Sequence, residues 1–165
     1  MGRWRPPPPK SSPYITREGY ETLQAEEKTL WLKRREVVKA LSAAAAEGDR
    51  SENAEYIYRK KQLRELDRRI GYLQRRLPVL KVSSDVPADR ERVFFGATVG
   101  LCDAAMNETE VRIVGADEFD AARNWISVDS PMARALLKHT VDDEVQVSTP
   151  RGMATYCIVA VSYAQ

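Results

Sequence analysis

Apolar residues recur at heptad spacing in two stretches of the first half of the chain. A short polar segment containing Gly48 separates the stretches, and Pro78 follows the second one. Two helices of similar length joined by a short turn pack most simply as an antiparallel hairpin. We therefore predict a coiled-coil hairpin over residues 14–80. The predicted seam consists of Tyr20, Leu23, Leu30, Val37, Leu41 and Ala44 on the first helix and Tyr56, Leu63, Leu66, Ile70, Leu73, Leu77 and Leu80 on the second.

The pattern changes to that of β-strands in the second half. Ser130 and Pro131 have the residue types of an N-cap and a first helical position, so one short helix interrupts the strands. We predict an α+β domain over residues 93–165 with a largely antiparallel sheet, joined to the hairpin by a linker over 81–92. The predicted strands are 93–101, 109–115, 125–128, 143–148 and 154–163, all rich in β-branched and aromatic residues.

The N-terminal residues, 1–13, contain five of the nine prolines. Consecutive prolines favour an extended polyproline conformation, so we expect a disordered extension. This segment lacks the apolar region of a secretory signal, and no apolar run reaches the roughly 20 residues of a membrane span. We expect a cytoplasmic protein that contacts no membrane and acts as a monomer. Two cysteines, Cys102 and Cys157, and one histidine cannot complete a four-ligand zinc site, so we expect reduced thiols.

Charge is distributed unevenly along the chain. Residues 1–91 contain 20 Lys and Arg against 14 Asp and Glu, whereas residues 92–165 contain 6 against 10. The basic residues concentrate between Arg59 and Arg76, where eight of them are opposed by Glu65 and Asp67 alone. This density exceeds what solubility needs, and it predicts an affinity for a phosphate backbone. The alternative interpretation is a solvated face of the coiled coil.

The segment between the helices, EGDRSENAEY (47–56), allows two interpretations. In the first, Asp49 and Glu52 form a capping box that starts the second helix, and Gly48 ends the first. In the second, the two carboxylates at the tip of the hairpin bind Mg²⁺. Because Mg²⁺ needs six oxygen ligands, a partner's active site would have to supply the others. Both roles are compatible, because carboxylates are stabilised at a helix N-terminus.

Four segments resemble the bacterial Gre transcript-cleavage factors: YITREGY, EGDRSENAEY, KKQLRELDRR and ISVDSPMARALL. The arginine-rich second helix is similar to the GreB type. The resemblance implies an FKBP-like C-terminal domain and a coiled coil that enters the secondary channel of bacterial RNA polymerase. There it implies stimulation of the polymerase's own endonuclease, which cleaves the nascent RNA 3′ end of backtracked complexes. The chain is thus expected to be a cofactor of the polymerase and not an enzyme itself.

The resemblance also implies roles for individual residues. Asp49 and Glu52 would help to hold a Mg²⁺ ion in the polymerase active site, which the free protein does not bind stably, while Asn53 and Tyr56 would position water or the RNA end. Asp129, Ser130 and Pro131 would dock on the rim of the polymerase channel. The extruded RNA would follow Arg59, Lys60, Lys61, Arg64 and Arg68.

Two other functions remain open at this point. A regulator could occupy the polymerase channel without stimulating cleavage, although the acidic pair argues against it. The FKBP-like domain also suggests a prolyl isomerase, but no isomerase pocket is evident in the sequence, and a fold does not by itself imply an activity.

Overall fold

A computed structural model describes Trp4 and residues 6–48 and 53–164. The chain divides into two compact units. Residues 20–80 form the first, which we call the helical unit, and residues 1–19 together with 81–165 form the second, the sheet unit. No helix in the described part of the chain has the length and apolarity needed to cross a membrane.

Two long helices build the helical unit. Helix α1 spans Arg17–Ala45, about 44 Å of helix, and α2 spans Ala54–Arg76, about 35 Å. A 3₁₀ turn over Leu77–Val79, with Pro78 in its first turn, follows α2, because proline cannot continue an α-helical hydrogen-bond ladder. Bonds join Ala44 to Asn53, Arg34 to Asp67 and Glu26 to Arg69, so later positions on α2 pair with earlier positions on α1, as a hairpin requires. The antiparallel arrangement is therefore confirmed.

The predicted heptad seam faces the interior of the hairpin. On α1, Leu23, Val37 and Ala44 are buried, and the remaining seam positions are half-buried. Charged residues flank the seam and join the helices at its edges. Arg34 Nε donates to Asp67 Oδ1 over 2.6 Å, and Arg69 contacts both carboxylate oxygens of Glu26. On α2 and the following 3₁₀ turn, the buried seam residues are Leu66, Ile70, Leu73 and Leu77.

The sheet unit contains a five-stranded sheet with strand order β5-β4-β3-β7-β6. All its pairs are antiparallel except β4 with β5. The α+β organisation is confirmed, and the observed strands begin or end within a few residues of the predicted ones. The strands are β3 (Ala97–Asp103), β4 (Glu108–Val114), β5 (Trp125–Ser127), β6 (Glu144–Thr149) and β7 (Gly152–Tyr163).

A short helix, α3 (Pro131–Leu136), packs against one face of this sheet. The Oγ atom of Ser130 accepts a hydrogen bond from the backbone N–H of Ala133, which confirms Ser130 as the N-cap. Alternate residues of the strands face α3 and exclude water from the core. The buried core consists of Val93, Ala97, Val99, Leu101, Ile113, Ala133, Leu136, Val145, Val147 and Ile158.

Two short strands that the sequence pattern did not predict join the two chain segments of the sheet unit, residues 1–19 and 81–165. Strand β1 (Tyr14–Ile15) pairs in parallel with β2 (Lys81–Val82). Residues 14–19, which we predicted as part of the hairpin, therefore cluster with the sheet unit, and the predicted linker over 81–92 begins with a strand. The next residue, Thr16, caps α1, with its Oγ1 accepting from the N–H of Gly19.

Glu118 secures the start of α1 within the sheet unit. Its buried carboxylate accepts hydrogen bonds from Thr16 N (3.0 Å), from Thr16 Oγ1 and from Gly115 N (2.7 Å). A Cβ atom on Gly19 would lie 2.1 Å from Glu118 Oε1, and one on Gly115 would lie 2.3 Å from the carbonyl oxygen of Tyr14. Both positions therefore require glycine, because the buried Glu118 side chain occupies the space beside Gly19 and the backbone of Tyr14 occupies the space beside Gly115.

Candidate functional site

The two predicted metal-binding acids, Asp49 and Glu52, lie outside the residues that the structure describes. Helix α1 ends at Ala45, and Gly48 has a φ of 139°, a conformation that favours glycine. The described chain resumes at Asn53, directly before α2. Elsewhere, within residues 6–48 and 53–164, no group of three or more His, Cys, Asp and Glu side chains could hold a metal ion.

Asn53 joins the ends of the two helices. It adopts an extended conformation (φ −81°, ψ 102°), and its Oδ1 accepts from the N–H of Tyr56 over 3.1 Å. Its Nδ2 donates to the carbonyl oxygen of Ala44 over 2.7 Å. One side chain thus satisfies an unpaired N–H at the start of α2 and a carbonyl at the end of α1.

This geometry corrects the predicted cap of the second helix. Asp49 at the N-cap would start α2 at residue 50, but α2 begins at Ala54 and its N-cap is Asn53. An amide can donate and accept at the same time, whereas a carboxylate only accepts. Asn53 therefore suits a position between a helix end and a helix start. The sequence contained this signal, because asparagine is among the most favoured N-cap residues.

Tyr56 lies at the predicted seam position next to the tip and is half-buried. The Nζ atom of Lys60 lies 5.8 Å from the centroid of its ring, within the range of a cation–π contact. The structure thus brings Asn53, Tyr56 and Lys60 together on the first turns of α2. The ring of Tyr56 packs between the seam and a basic side chain.

Four of the five predicted RNA-binding residues form one exposed surface, which we call the basic face: Lys60, Lys61, Arg64 and Arg68. The spacing of three and four residues places them on one side of α2, opposite the buried Leu66, Ile70 and Leu73. Lys61, Arg64 and Arg68 make no hydrogen bond or ion pair with any residue in the described ranges. Their charges are therefore available to a ligand.

Arg59 does not belong to this surface. Its Nε donates to Glu55 Oε1 over 2.7 Å, and its Nη1 donates to Gln62 Oε1 over 3.1 Å. Its side chain is about one-third exposed. Arg59 directly precedes Lys60, and the rotation of about 100° per residue turns it towards the seam side of α2. The RNA contact expected of Arg59 stays a prediction.

Two residues on the same side of α2 were not among the predicted site residues. Ile57 is 52% exposed one turn before Lys61, and exposed Arg75 follows Arg68 by seven residues. Extending the heptad pattern to the outer side of α2 would have identified both. Between them lies Gly71, which has no side chain. A Cβ atom added at Gly71 would lie 3.3 Å from Arg75 Nη1.

The predicted docking residues lie together at the start of α3. Asp129 Oδ2 accepts from the backbone N–H of Ser12 over 2.8 Å, which fixes the end of the proline-rich segment. Ser130 is committed to capping α3, and Pro131 is exposed. Asp129 and Ser130 thus have structural contacts in addition to any role at an interface.

Comparison with known proteins covers nearly the whole chain. The family model described as "Transcription elongation factor, N-terminal" matches residues 13–82, and "Transcription elongation factor, GreA/GreB, C-term" matches residues 88–163. Transcription elongation factor GreB of Xanthomonas axonopodis pv. citri is 59% identical over 166 residues, covering 99% of both chains. The GreB of Yersinia pestis is 54% identical over 153 residues, covering 92% of this chain and 90% of the relative.

A solved structure is also similar, that of GreA factor homolog 1 (Gfh1) of Thermus thermophilus. It shares 25% sequence identity with a TM-score of 0.42, covering 90% of this chain and 97% of that one. The two family models together match far more than half of the chain, in the order that the helical and sheet units follow. The chain therefore belongs to the GreA/GreB family of transcription elongation factors, and its curated relatives are of the GreB type.

Proposed function

We propose that this protein enters the secondary channel of RNA polymerase with its helical hairpin and stimulates cleavage of the RNA 3′ end in backtracked complexes. The observation that carries the proposal is the basic face of α2. It begins within two turns of the tip and leaves at least three cations unpaired within the described ranges. Such a surface attracts a nucleic-acid backbone without reading its sequence.

The hairpin suits this task because of its length. Helix α1 is about 44 Å long, and a two-helix seam is narrow enough to follow a channel. Asn53 holds the end of α1 against the start of α2, so the segment carrying Asp49 and Glu52 is closed by a hydrogen-bonded base. We propose that this base restricts where the two acids can lie.

The acids themselves would act at the tip. Carboxylate oxygens are ligands that Mg²⁺ accepts, so Asp49 and Glu52 fit a site shared with the polymerase. Mg²⁺ bound there would supply activation of water for attack on the phosphodiester. This chain's own contribution is to donate two oxygen ligands at the tip, bind the extruded RNA along the basic face and anchor on the polymerase through Asp129, Ser130 and Pro131.

A cleavage assay on a purified, artificially backtracked elongation complex tests this proposal. The variant Asp49→Asn with Glu52→Gln keeps the size of both side chains and removes both charges. A control, Glu21→Gln with Glu36→Gln, changes the net charge equally on the exposed side of α1. We expect the tip variant to lose at least about 100-fold in cleavage rate, as for other groups that contact reacting atoms, and the control to retain it.

Binding to the polymerase is measured in parallel, with and without Mg²⁺. Retained binding with lost cleavage supports the donated-ligand role. Undiminished cleavage by the tip variant would contradict it. If the unmodified protein binds the polymerase but releases no RNA fragment, it is a channel-binding regulator without cleavage stimulation.

A further inference from the structure

A row of four reactive or charged side chains crosses the sheet. In the strand register, Glu108 of β4 lies opposite Cys102 of β3, Cys102 lies opposite Cys157 of β7, and Cys157 lies opposite Glu144 of β6. Leu101 and Ile158, next to the two cysteines, face the core with α3. Because side chains alternate between the faces of a sheet, the four residues of the row lie on the opposite, open face.

The two thiols are close enough to be joined. Directly opposed residues in antiparallel strands have Cα atoms about 4.5–5.5 Å apart. A disulfide accepts Cα separations of about 4.4–6.8 Å. Both cysteines are free and half-buried, and each Sγ has only a weak contact with the carbonyl oxygen of the next residue, at 3.6 Å for Cys102 and 3.9 Å for Cys157.

We infer that Cys102 and Cys157 form a redox-active dithiol on the open face of the sheet, which small disulfide molecules oxidise to an intrachain disulfide. We further infer that the flanking carboxylates make this site selective for cationic disulfides over anionic ones. The pairing of β3 with β7, and not proximity in sequence, brings the two cysteines together.

The reaction proceeds by two exchanges. The thiolate of one cysteine attacks a sulfur of the small disulfide, forms a mixed disulfide and releases one small thiolate. The second cysteine's thiolate then attacks the protein sulfur of the mixed disulfide, forms the Cys102–Cys157 bond and releases the second small thiolate. Two protein thiols lose two protons and two electrons, and the small disulfide gains them to become two small thiols.

The electrostatic surroundings set the selectivity. Glu108 and Glu144 are exposed at the two ends of the row, and Asp103 follows Cys102 in β3. These acids attract a cationic reagent such as cystamine and repel an anionic one such as oxidised glutathione. The attraction acts through solvent, so salt weakens it over a distance of about 8–10 Å.

The same surroundings slow the reaction of Cys102. Partial burial raises the pKa of the Cys102 thiol above its ordinary value, and the charges of Glu108, Asp103 and Cys157 add to the rise. Since only the thiolate is nucleophilic, a raised pKa slows attack by Cys102 near neutral pH. Glu144 of β6 is the acid that lies opposite Cys157 in the strand register. We expect the exchange to accelerate as the pH rises.

Mass spectrometry of the full-length protein tests the inference. After incubation with cystamine near pH 8.5, about the ordinary pKa of a thiol, we expect a mass about 2 Da lower because two hydrogens leave. Non-reducing digestion should yield one peptide pair joined through Cys102 and Cys157. The single variants Cys102→Ser and Cys157→Ser should instead retain one cystamine half as a stable adduct. Stable adducts on both cysteines of the unmodified protein, or no reaction at all, would overturn the dithiol.

The selectivity has its own matched control. The rates with cystamine and with oxidised glutathione are compared in the unmodified protein and in Glu108→Gln with Glu144→Gln. The quantity compared is the rate with cystamine divided by the rate with oxidised glutathione. The intrinsic reactivities of the two reagents cancel when this ratio is compared between the two proteins. We expect the ratio to fall about tenfold in the variant at low salt, and to fall less at high salt. An unchanged ratio would overturn the preference for cationic disulfides.

Discussion

In the helical unit, the ion pairs between α1 and α2 lie at the surface, whereas the sheet unit encloses the carboxylate of Glu118. The Arg69–Glu26 pair is bidentate, yet its side chains remain 42% and 34% exposed. Glu118 is 9% exposed and accepts bonds from Thr16 and Gly115. A carboxylate thus makes its polar contacts at the solvent-exposed surface in the helical unit and away from water in the sheet unit.

This difference separates two kinds of stabilisation. An exposed ion pair adds little, because water already solvates both charges. A buried carboxylate adds little when its bonds are complete, but its removal leaves several buried donors unsatisfied. The helical unit therefore relies on its apolar seam and can leave the charges of the basic face unpaired. The sheet unit relies on completed contacts between residues that are distant in sequence.

The largest expected loss of stability concerns the two apolar interiors. Leu101 and Leu73 are both 0% exposed. We expect Leu101→Ala to lower the free energy of unfolding of the sheet unit by about 4 kcal/mol, because the sheet and α3 cannot collapse into the cavity. We expect Leu73→Ala to cost about 2–3 kcal/mol in the helical unit, because the two-helix seam can close partly. Urea unfolding followed by circular dichroism measures both, and a larger loss for Leu73→Ala would reverse this view.

The next prediction compares the two carboxylates. We expect Glu118→Ala to lower the free energy of unfolding by about 3 kcal/mol, because Thr16 N, Thr16 Oγ1 and Gly115 N lose their acceptor. The control, Glu26→Ala, removes the exposed partner of Arg69 and should cost about 0.5 kcal/mol. The same urea titration applies, and equal losses would mean that burial does not distinguish the two units.

Asn53 offers a smaller and more specific test at the tip. We expect Asn53→Asp to keep the N-cap of α2 but to lose the donor to the carbonyl oxygen of Ala44, at a cost of about 1 kcal/mol. Asn53→Ala loses both bonds and should cost about 2 kcal/mol. Thermal unfolding measures the order of the three proteins. If Asn53→Asp matches the unmodified protein, the contact with Ala44 does not contribute.

The smallest effect is expected in RNA binding and depends on the proposed function. The double variant Arg64→Gln with Arg68→Gln removes two unpaired charges of the basic face. The slope of log affinity against log salt for a short single-stranded RNA should decrease by about 1.4, or about 0.7 per charge. The matched variant Arg59→Gln with Arg69→Gln removes two arginines of the same helix that are already bonded to Glu55 and Glu26. We expect it to change the slope far less, and equal changes would remove the distinction.

Periodic features of the sequence predicted much of the helical unit. The seam, the antiparallel pairing and the stop at Pro78 were all predicted from local patterns. The burial of Leu66, Ile70 and Leu73 confirms the seam. The spacing did not identify which basic residues stay unpaired. Arg59 is adjacent to Lys60 in sequence but bonds Glu55 and Gln62, because each residue turns about 100° around the helix axis.

Contacts between distant residues were outside the reach of local patterns. Thr16 and Glu118 are 102 residues apart, and neither has a periodic neighbour that points to the other. The pairing of β1 with β2 and that of Cys102 with Cys157 are of the same kind. Asn53 differs from these residues, because asparagine is by itself a favoured N-cap and the sequence could have indicated its role. The capping box of Asp49 and Glu52, a few residues earlier, offered a competing start for the helix.

By itself, the sequence determined the repeating elements of this protein: two heptad helices, a set of strands, a helix capped at Ser130 and a concentration of basic residues on α2. Each depends on residues within a few positions of one another, whose spacing sets burial and capping. Only the tertiary structure decided which charges are paired, that Glu118 is buried against Thr16 and that two thiols meet on the open face of the sheet. Those outcomes depend on which helices and strands become neighbours, and local spacing carries no record of that.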